Sequence, residues 1–269
     1  MPRFAPVTFR SWFEKRHALP SGGRTVMLWP DTFTDHFAPG IPKDSVIALE
    51  KLGFSVILPD RELCCGRPLY DFGMLTLAKE ALSDILDTLR LPARNGMPII
   101  GLEPSCVAVF RDELINLFPK HDVAQALARQ VKTLSEFLNE QEPDLELPKL
   151  PFKAMLHLHC HHKAVMGGDA DRRLMQRLGL DADVLDAGCC GMAGSFGFEK
   201  NNYSVSLAVG EMALLPAVRA ADPNTLIITD GFSCREQIQQ VTGRRTLHMA
   251  QVLAMALRDQ PLPGAINPS

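Results

Sequence analysis

The tripeptide Cys-Cys-Gly occurs twice in this chain, at Cys64-Cys65-Gly66 and at Cys189-Cys190-Gly191. Each copy follows a short apolar run, Phe54-Ser55-Val56-Ile57-Leu58 in the first case and Val184-Leu185 in the second. Adjacent cysteines rarely pair with each other, because the ring they would close strains the peptide between them. Neighbouring thiolates repel, so a metal holds them more naturally than a disulfide does. A signature of this kind that recurs reads as a duplication, and a duplication restricts the fold more than any composition does.

Counting along the chain supports it. Met27-Leu28 returns as Met155-Leu156 and Ser105-Cys106 as Ser233-Cys234, both 128 residues further on, while the Cys-Cys-Gly copies are 125 apart. In that register Thr32 stands opposite Cys160. The second half therefore carries four cysteines, Cys160, Cys189, Cys190 and Cys234, and the first half three, Cys64, Cys65 and Cys106.

Short apolar runs predict strands at 26–30, 54–58, 97–102, 154–158, 183–185 and 226–229. Between them, apolar residues at helical spacing predict helices at 44–52, 71–89, 105–118, 123–139, 171–178 and 203–220, with further helices up to residue 257. Strands alternating with helices define an α/β fold: two pseudo-symmetric βαβ repeats with mostly parallel sheets. Each cysteine follows a strand, so the cysteines are expected at the carboxyl ends of the strands, where open α/β sheets bind ligands. Three prolines and alternating acids mark 142–151 as the connection between the halves. The expected organisation is an arm over 1–23, a first repeat over 24–141 and a second over 152–258. Phe4, Phe9, Trp12 and Phe13, set among Arg3 and Arg10, make the arm either a docking segment for a partner or a terminal helix packed on its own repeat. The tail, 261–269, is expected to fray.

Charge and cysteine count narrow the function classes. A net charge of −3 over 269 residues gives no footprint for nucleic acid. Seven cysteines, an odd number, argue against a disulfide framework. The longest apolar stretch, 205–221, is interrupted by Glu211, Pro216 and Arg219, so no transmembrane segment is expected. The first residues lack signal-peptide character, which leads to the expectation of a cytoplasmic protein, at most peripheral at the inner face of the membrane.

Four thiolates are the complement of one 4Fe–4S cluster or one tetrahedral zinc. Iron–sulfur is the favoured reading for Cys160, Cys189, Cys190 and Cys234, with zinc as the alternative. Cys64, Cys65 and Cys106 form an incomplete set, either completed by Glu103 or His36 as a second metal site or kept as packing. His159 and His161 are expected beside the sulfurs, donating N–H to them. His157 and His162 are expected to face solvent or cap helices, and Lys163 to be a surface charge. There is no Cys-x₂-Cys-x₂-Cys-x₃-Cys run of the bacterial ferredoxin kind and no Gly-x-Gly-x-x-Gly nucleotide signature.

The pattern resembles the cysteine-rich CCG domain of the family that contains the heterodisulfide reductase B subunit, the glycolate oxidase iron–sulfur subunit and the anaerobic glycerol-3-phosphate dehydrogenase C subunit. Cys160, Cys189-Cys190-Gly191 and Cys234 carry the resemblance fully, and Cys64-Cys65-Gly66 and Cys106 in part. Segments such as Leu58-Pro59-Asp60-Arg61 and Cys189-Cys190-Gly191-Met192-Ala193-Gly194-Ser195-Phe196-Gly197 look most like the C-terminal part of fused FAD-linked oxidase–ferredoxin–CCG proteins. The likeness runs from Arg24 to Leu257. It departs from the family pattern at Thr32, Glu103 and Gly231, where cysteines would stand. The resemblance implies an electron-transfer component of a flavin-dependent 2-hydroxy-acid dehydrogenase, with FAD on a partner chain, a ferredoxin-like partner, and electrons passed toward a quinone or another carrier. A zinc-stabilised assembly module and a thiol–disulfide oxidoreductase using the vicinal cysteines are the alternatives.

Overall fold

The computed structural model describes residues 2–16 and 23–258. The tail expected to fray lies outside the described residues. Strands β1 (Arg24–Trp29), β2 (Phe54–Ile57), β3 (Ile99–Gly101) and β4 (Val131–Lys132) form one sheet in the order β2-β1-β3-β4. Strands β5 (Lys153–Leu156), β6 (Asp181–Val184), β7 (Leu226–Ile228) and β8 (Thr246–Leu247) form a second in the order β6-β5-β7-β8. All the pairings are parallel. Met27 pairs with Ile99 and Met155 with Ile227, so the register itself repeats 128 residues further on. The duplication counted in the sequence is a duplication of structure.

Val26, Met27, Leu28 and Trp29 are buried consecutively rather than alternately. Parallel strands covered by helices on both faces have this character. In each sheet the chain leaves the first strand to one side and returns on the other, so the order reverses between β1 and β3 and between β5 and β7. Such a switch point opens a crevice at the carboxyl ends of the strands. Cys106 lies beyond β3, whereas Cys160 and Cys234 flank the β5/β7 crevice.

Two short strands, β4 and β8, were not expected. The helix predicted over 123–139 is two helices, Asp122–Gln130 and Leu134–Gln141, separated by β4. The break has a local cause: Thr133 and Glu136 form a capping box, each side chain bonding the other residue's backbone N–H, which starts a new helix. Arg111 Nη2 also holds the carbonyl of Val131 at 3.0 Å. In the second half His248 and Gln251 form the equivalent box after β8.

The halves pack reciprocally. The β1–β2 crossover helix, Gly40–Lys51, lies on the last helix of the second half, Met249–Ala256. The β5–β6 crossover helix, Asp169–Arg177, lies on Leu134–Gln141, the last of the first half. One apolar cluster consequently runs through both sheets, joining Val26, Leu28 and Ile100 to Ala154, Leu156 and Ile228. Leu147 and Leu150 of the connecting segment belong to it too. Among the described residues no helix is long and apolar enough to cross a membrane.

Residues Phe9–Lys15 form a helix capped by Thr8 and packed on the first half. Phe9 is fully buried in the shared cluster, with Trp12 and Phe13 against it. Asp35 Oδ1 accepts from the Arg10 backbone N–H at 2.7 Å, and the Arg10 guanidinium donates to the carbonyls of Pro59 and Arg61. Of the two expectations for the arm, packing on its own repeat therefore holds for Phe9, Trp12 and Phe13, because an aromatic ring gains more by entering a nearby cluster than by staying wet. Phe4, which stacks on Phe37, stays largely exposed. Phe9→Ala is expected to lower stability by about 3–5 kcal/mol, measured by chemical denaturation. A loss no larger than that of Phe4→Ala would contradict this account.

Candidate metal centre

The two cysteine sets occupy equivalent places. In the second half Cys160 starts the helical turn after β5, Cys189 and Cys190 lie in the loop after β6, and Cys234 sits in the first turn of Phe232–Thr242. The side chains form a continuous run: Cys160 neighbours Cys189, Cys189 neighbours Cys190, and Cys190 neighbours Cys234. All four predicted ligands are therefore brought together. In the first half the corresponding run is Thr32, Cys64, Cys65 and Cys106, with the hydroxyl of Thr32 beside Cys64. Cys65 Sγ and Cys106 Sγ are 3.0 Å apart.

Protonation alternates along the second run. Cys189 is drawn down to about 2 by its neighbours Cys160 and Cys190, and Cys234 far down by Cys190. Cys160 is pushed up by Cys189 and burial, and Cys190 by Cys189 and Cys234. Within the run, ionisation is thus favoured at Cys189 and Cys234 over Cys160 and Cys190. Thiolates are the metal-binding form, and a metal would displace the remaining protons. The first run is different. Cys64 is pushed up by Cys65 and burial, and Cys65 by Cys106. For Cys106 the contact with Cys65 lowers the pKa, but burial and the carboxylates Asp31 and Glu103 outweigh it and bring it to about 11.

The second Cys-Cys-Gly loop is held tightly. Gly191 has φ +98° and donates its N–H to Cys189 Sγ at 3.3 Å. A Cβ at Gly191 would stand 2.0 Å from the carbonyl oxygen of Ser206, so the motif needs glycine there for space as well as for φ. Buried Gln237, one helical turn after Cys234, donates to the carbonyls of Cys190 and Ser206 at 3.1 Å each. Nothing in the sequence marked Gln237, although its place one turn beyond a ligand cysteine is the signal that was there.

The histidines separate into different roles. His157 is 1% exposed, beside Cys234, and both of its ring nitrogens lack partners. This corrects the expectation that it faces solvent: it immediately follows β5, whose carboxyl end is covered by the site. His162, also expected at the surface or as a cap, is buried and paired with Asp171 at 2.9 Å. Burial pulls its pKa down, but Asp171 outweighs this and the net shift is upward. His159 is buried against Gly231, where a Cβ would come within 2.4 Å of the ring, so a cysteine at that position would require the His159 ring to shift. Ligand atoms of His159, Cys160 and His161 lie within 4.8 Å of one another. Burial, Arg67 and His159 together bring His161 down to about 4. Lys163 is an exposed side chain paired with Asp186 at 2.9 Å.

The donor set of the second half fits a metal or cluster bound by four thiolates: four converging sulfurs in an unbroken run, with the buried His157 ring beside Cys234. The first half does not fit the same group. Its fourth place is a hydroxyl, and Glu103 is already engaged. One Glu103 oxygen accepts from Ser105 Oγ at 3.0 Å and the other from the Phe232 backbone N–H at 2.8 Å. His36 pairs with Asp35 at 3.5 Å and shares a small cavity with Cys64.

Between the halves, at the carboxyl ends of the strands, lies a cavity of about 740 Å³. Phe33, Phe72, Phe196 and Phe198 line it together with Cys64, Cys106 and His161. Phe33 and Phe232 stack across the halves with centroids 4.5 Å apart. A groove of about 800 Å³ at the amino ends of β7 and β8 lies away from all the cysteines.

A duplicated parallel α/β fold with cysteines gathered at the strand ends defines a cysteine-rich binding module. The chain belongs to the CCG family, described as Cysteine-rich domain, whose profile matches residues 32–111 and 155–239. It is 30% identical over 265 residues to the C subunit of anaerobic glycerol-3-phosphate dehydrogenase from Escherichia coli K12, covering 96% of this chain and 65% of that protein. It is 28% identical over 235 residues to D-2-hydroxyglutarate dehydrogenase of Pantoea ananatis, covering 85% of this chain and 22% of that one. Lactate utilization protein A of Bacillus licheniformis is 27% identical over 242 residues, covering 85% of this chain and 98% of the relative. The chain thus spans just under two thirds of the first of these relatives and less than a quarter of the second.

Proposed function

We propose that Cys160, Cys189, Cys190 and Cys234 hold one 4Fe–4S cluster, and that the chain is the electron-transfer component of a flavin-dependent dehydrogenase acting on a hydroxy acid of the glycolate or lactate type. The observation that carries this reading is the unbroken run of four sulfurs around the switch point of the second sheet. When bound, such a cluster takes up and releases single electrons. The names of the relatives, two dehydrogenases and a lactate utilization protein, support the direction of the reading. In it, FAD sits on the dehydrogenase partner and a ferredoxin-like protein delivers the electrons. The aromatic-walled cavity between the halves is where a quinone or similar acceptor comes close to the centre. Iron, sulfide and zinc analysis of anaerobically purified protein, with its visible spectrum, tests this. Brown protein with iron and sulfide in equal amounts is expected; colourless protein carrying zinc would replace the reading with an assembly module.

The chain on its own is expected not to oxidise hydroxy acids. Hydride removal from such substrates needs an organic acceptor cofactor, which this reading assigns to the partner. Dye reduction with lactate or glycolate should appear on adding the flavoprotein. Vigorous turnover by the pure chain would show the assignment to be wrong.

A further inference from the structure

The residue after the first Cys-Cys-Gly, Arg67, bonds Cys65 through its backbone, but its side chain is engaged elsewhere. The Arg67 guanidinium is fixed by two carboxylates, Glu113 and, at 3.2 Å, Asp71. Its Nη2 reaches into the second half and lies 2.5 Å from His161 Nε2. Arginine only donates, and it keeps its proton in proteins. His161 Nε2 must therefore accept, which places the ring hydrogen on Nδ1. That Nδ1 is buried without a hydrogen-bond partner. A nitrogen of the same ring lies within 4.8 Å of Cys160 Sγ. A buried N–H without a partner is unfavourable, and Cys160 Sγ is a sulfur acceptor close to this ring.

We infer that Arg67 is a positioning residue for the metal centre of the second half: by occupying His161 Nε2 it locks the ring as the Nδ1–H tautomer and makes it a hydrogen-bond donor to the centre instead of a ligand. The inference rests on the metal reading above for its effect on the centre, but not for the tautomer. A second contact runs in the same direction. Glu103 of the first half accepts from the Phe232 N–H, two residues before Cys234. The half with the incomplete cysteine set thus supplies supports to the complete one. Met192 stands in the place equivalent to Arg67, so no return contact of this kind is available to the first half.

The test uses the full chain with Arg67→Met, Arg67→Lys and His161→Phe. With ¹⁵N-labelled histidine, His161 of the parent is expected to show the Nδ1–H signature, and Arg67→Met is expected to convert it to the Nε2–H form or a mixture. In iron-loaded protein, Arg67→Met should keep its metal content while its midpoint potential becomes more negative, because an N–H donor to sulfur stabilises the reduced centre. Most of that shift should vanish in a His161→Phe background, since the two residues act in series. Arg67→Lys keeps the charge but cannot hold two carboxylates and the ring, and should shift the potential in the same direction should Arg67→Met fail to fold. An unchanged Nδ1–H signature in Arg67→Met, or potential shifts that simply add, overturns the inference. Iron-free protein would instead sink the iron–sulfur reading and leave the tautomer measurement to decide this one.

Discussion

Cys189→Ser is expected to strip the chain of most of its metal, whereas Cys64→Ser is expected to leave the metal content close to that of the parent. The two residues are structural equivalents, the first cysteine of each Cys-Cys-Gly, so their difference isolates the ligand set rather than the loop. Four-ligand structural zinc binds with roughly 10–16 kcal/mol at neutral pH, so one thiolate carries on the order of 3 kcal/mol, about a hundredfold in affinity. The Cys189 pKa is also drawn down by its neighbours Cys160 and Cys190. That of Cys64 is pushed up by Cys65 and burial, and the fourth place beside it is a threonine hydroxyl. Metal per chain after gel filtration decides the matter. Equal losses from the two substitutions, or a larger loss from Cys64→Ser, would mean that the first half binds metal at least as well.

Gly191→Ala should be the more damaging of the two motif glycine substitutions. Both glycines have positive φ, +98° at Gly191 and +77° at Gly66. At Gly66 an added Cβ meets nothing closer than 3.5 Å, an ordinary contact, so Gly66→Ala should cost only the conformational penalty of roughly 1–2 kcal/mol. At Gly191 the same atom falls 2.0 Å from the Ser206 carbonyl oxygen, a backbone atom that Gln237 also holds. The loop must then move away from the helix Tyr203–Glu211 and carry Cys190 with it. A loss of about 3 kcal/mol or more is expected, together with bound metal. Denaturation curves and metal analysis of both variants check this, and comparable behaviour of the two would refute the steric account.

What the sequence revealed, and what it hid, follows from distance along the chain. The parallel sheets were legible because apolar runs and cysteines recur at offsets of 125–128, and that register sets Thr32 opposite Cys160, while Glu103 and Gly231 stand out only against the family pattern. The four cysteines of the second half were legible as a set for this reason. Strands β4 and β8 were not, because two residues show no periodicity; only the capping boxes Thr133/Glu136 and His248/Gln251 betray the breaks. The surroundings of the centre were hidden because burial of a charge depends on remote partners. Arg67 is explained by Glu113 and His161, and Glu103 by Phe232, 129 residues away. His157 looked like a surface residue only because nothing local announces that a covered strand end surrounds it.

The apolar cluster that runs through both sheets bears on the history of such a chain. After a duplication the two copies of a site are free to diverge, as Thr32 and Cys160 do at equivalent positions here. Ordinarily either copy would then be open to deletion. Here it is not, because Val26, Leu28 and Ile100 share their packing with Ala154, Leu156 and Ile228, and each half's crossover helix rests on the other's last helix. Substitution can change the chemistry of either half residue by residue, but neither scaffold can be excised without exposing the core of the other. Each half acts as a counterweight to its twin, and positions that differ between them, such as Arg67 against Met192, become places where a side chain of one half can be recruited to serve the other.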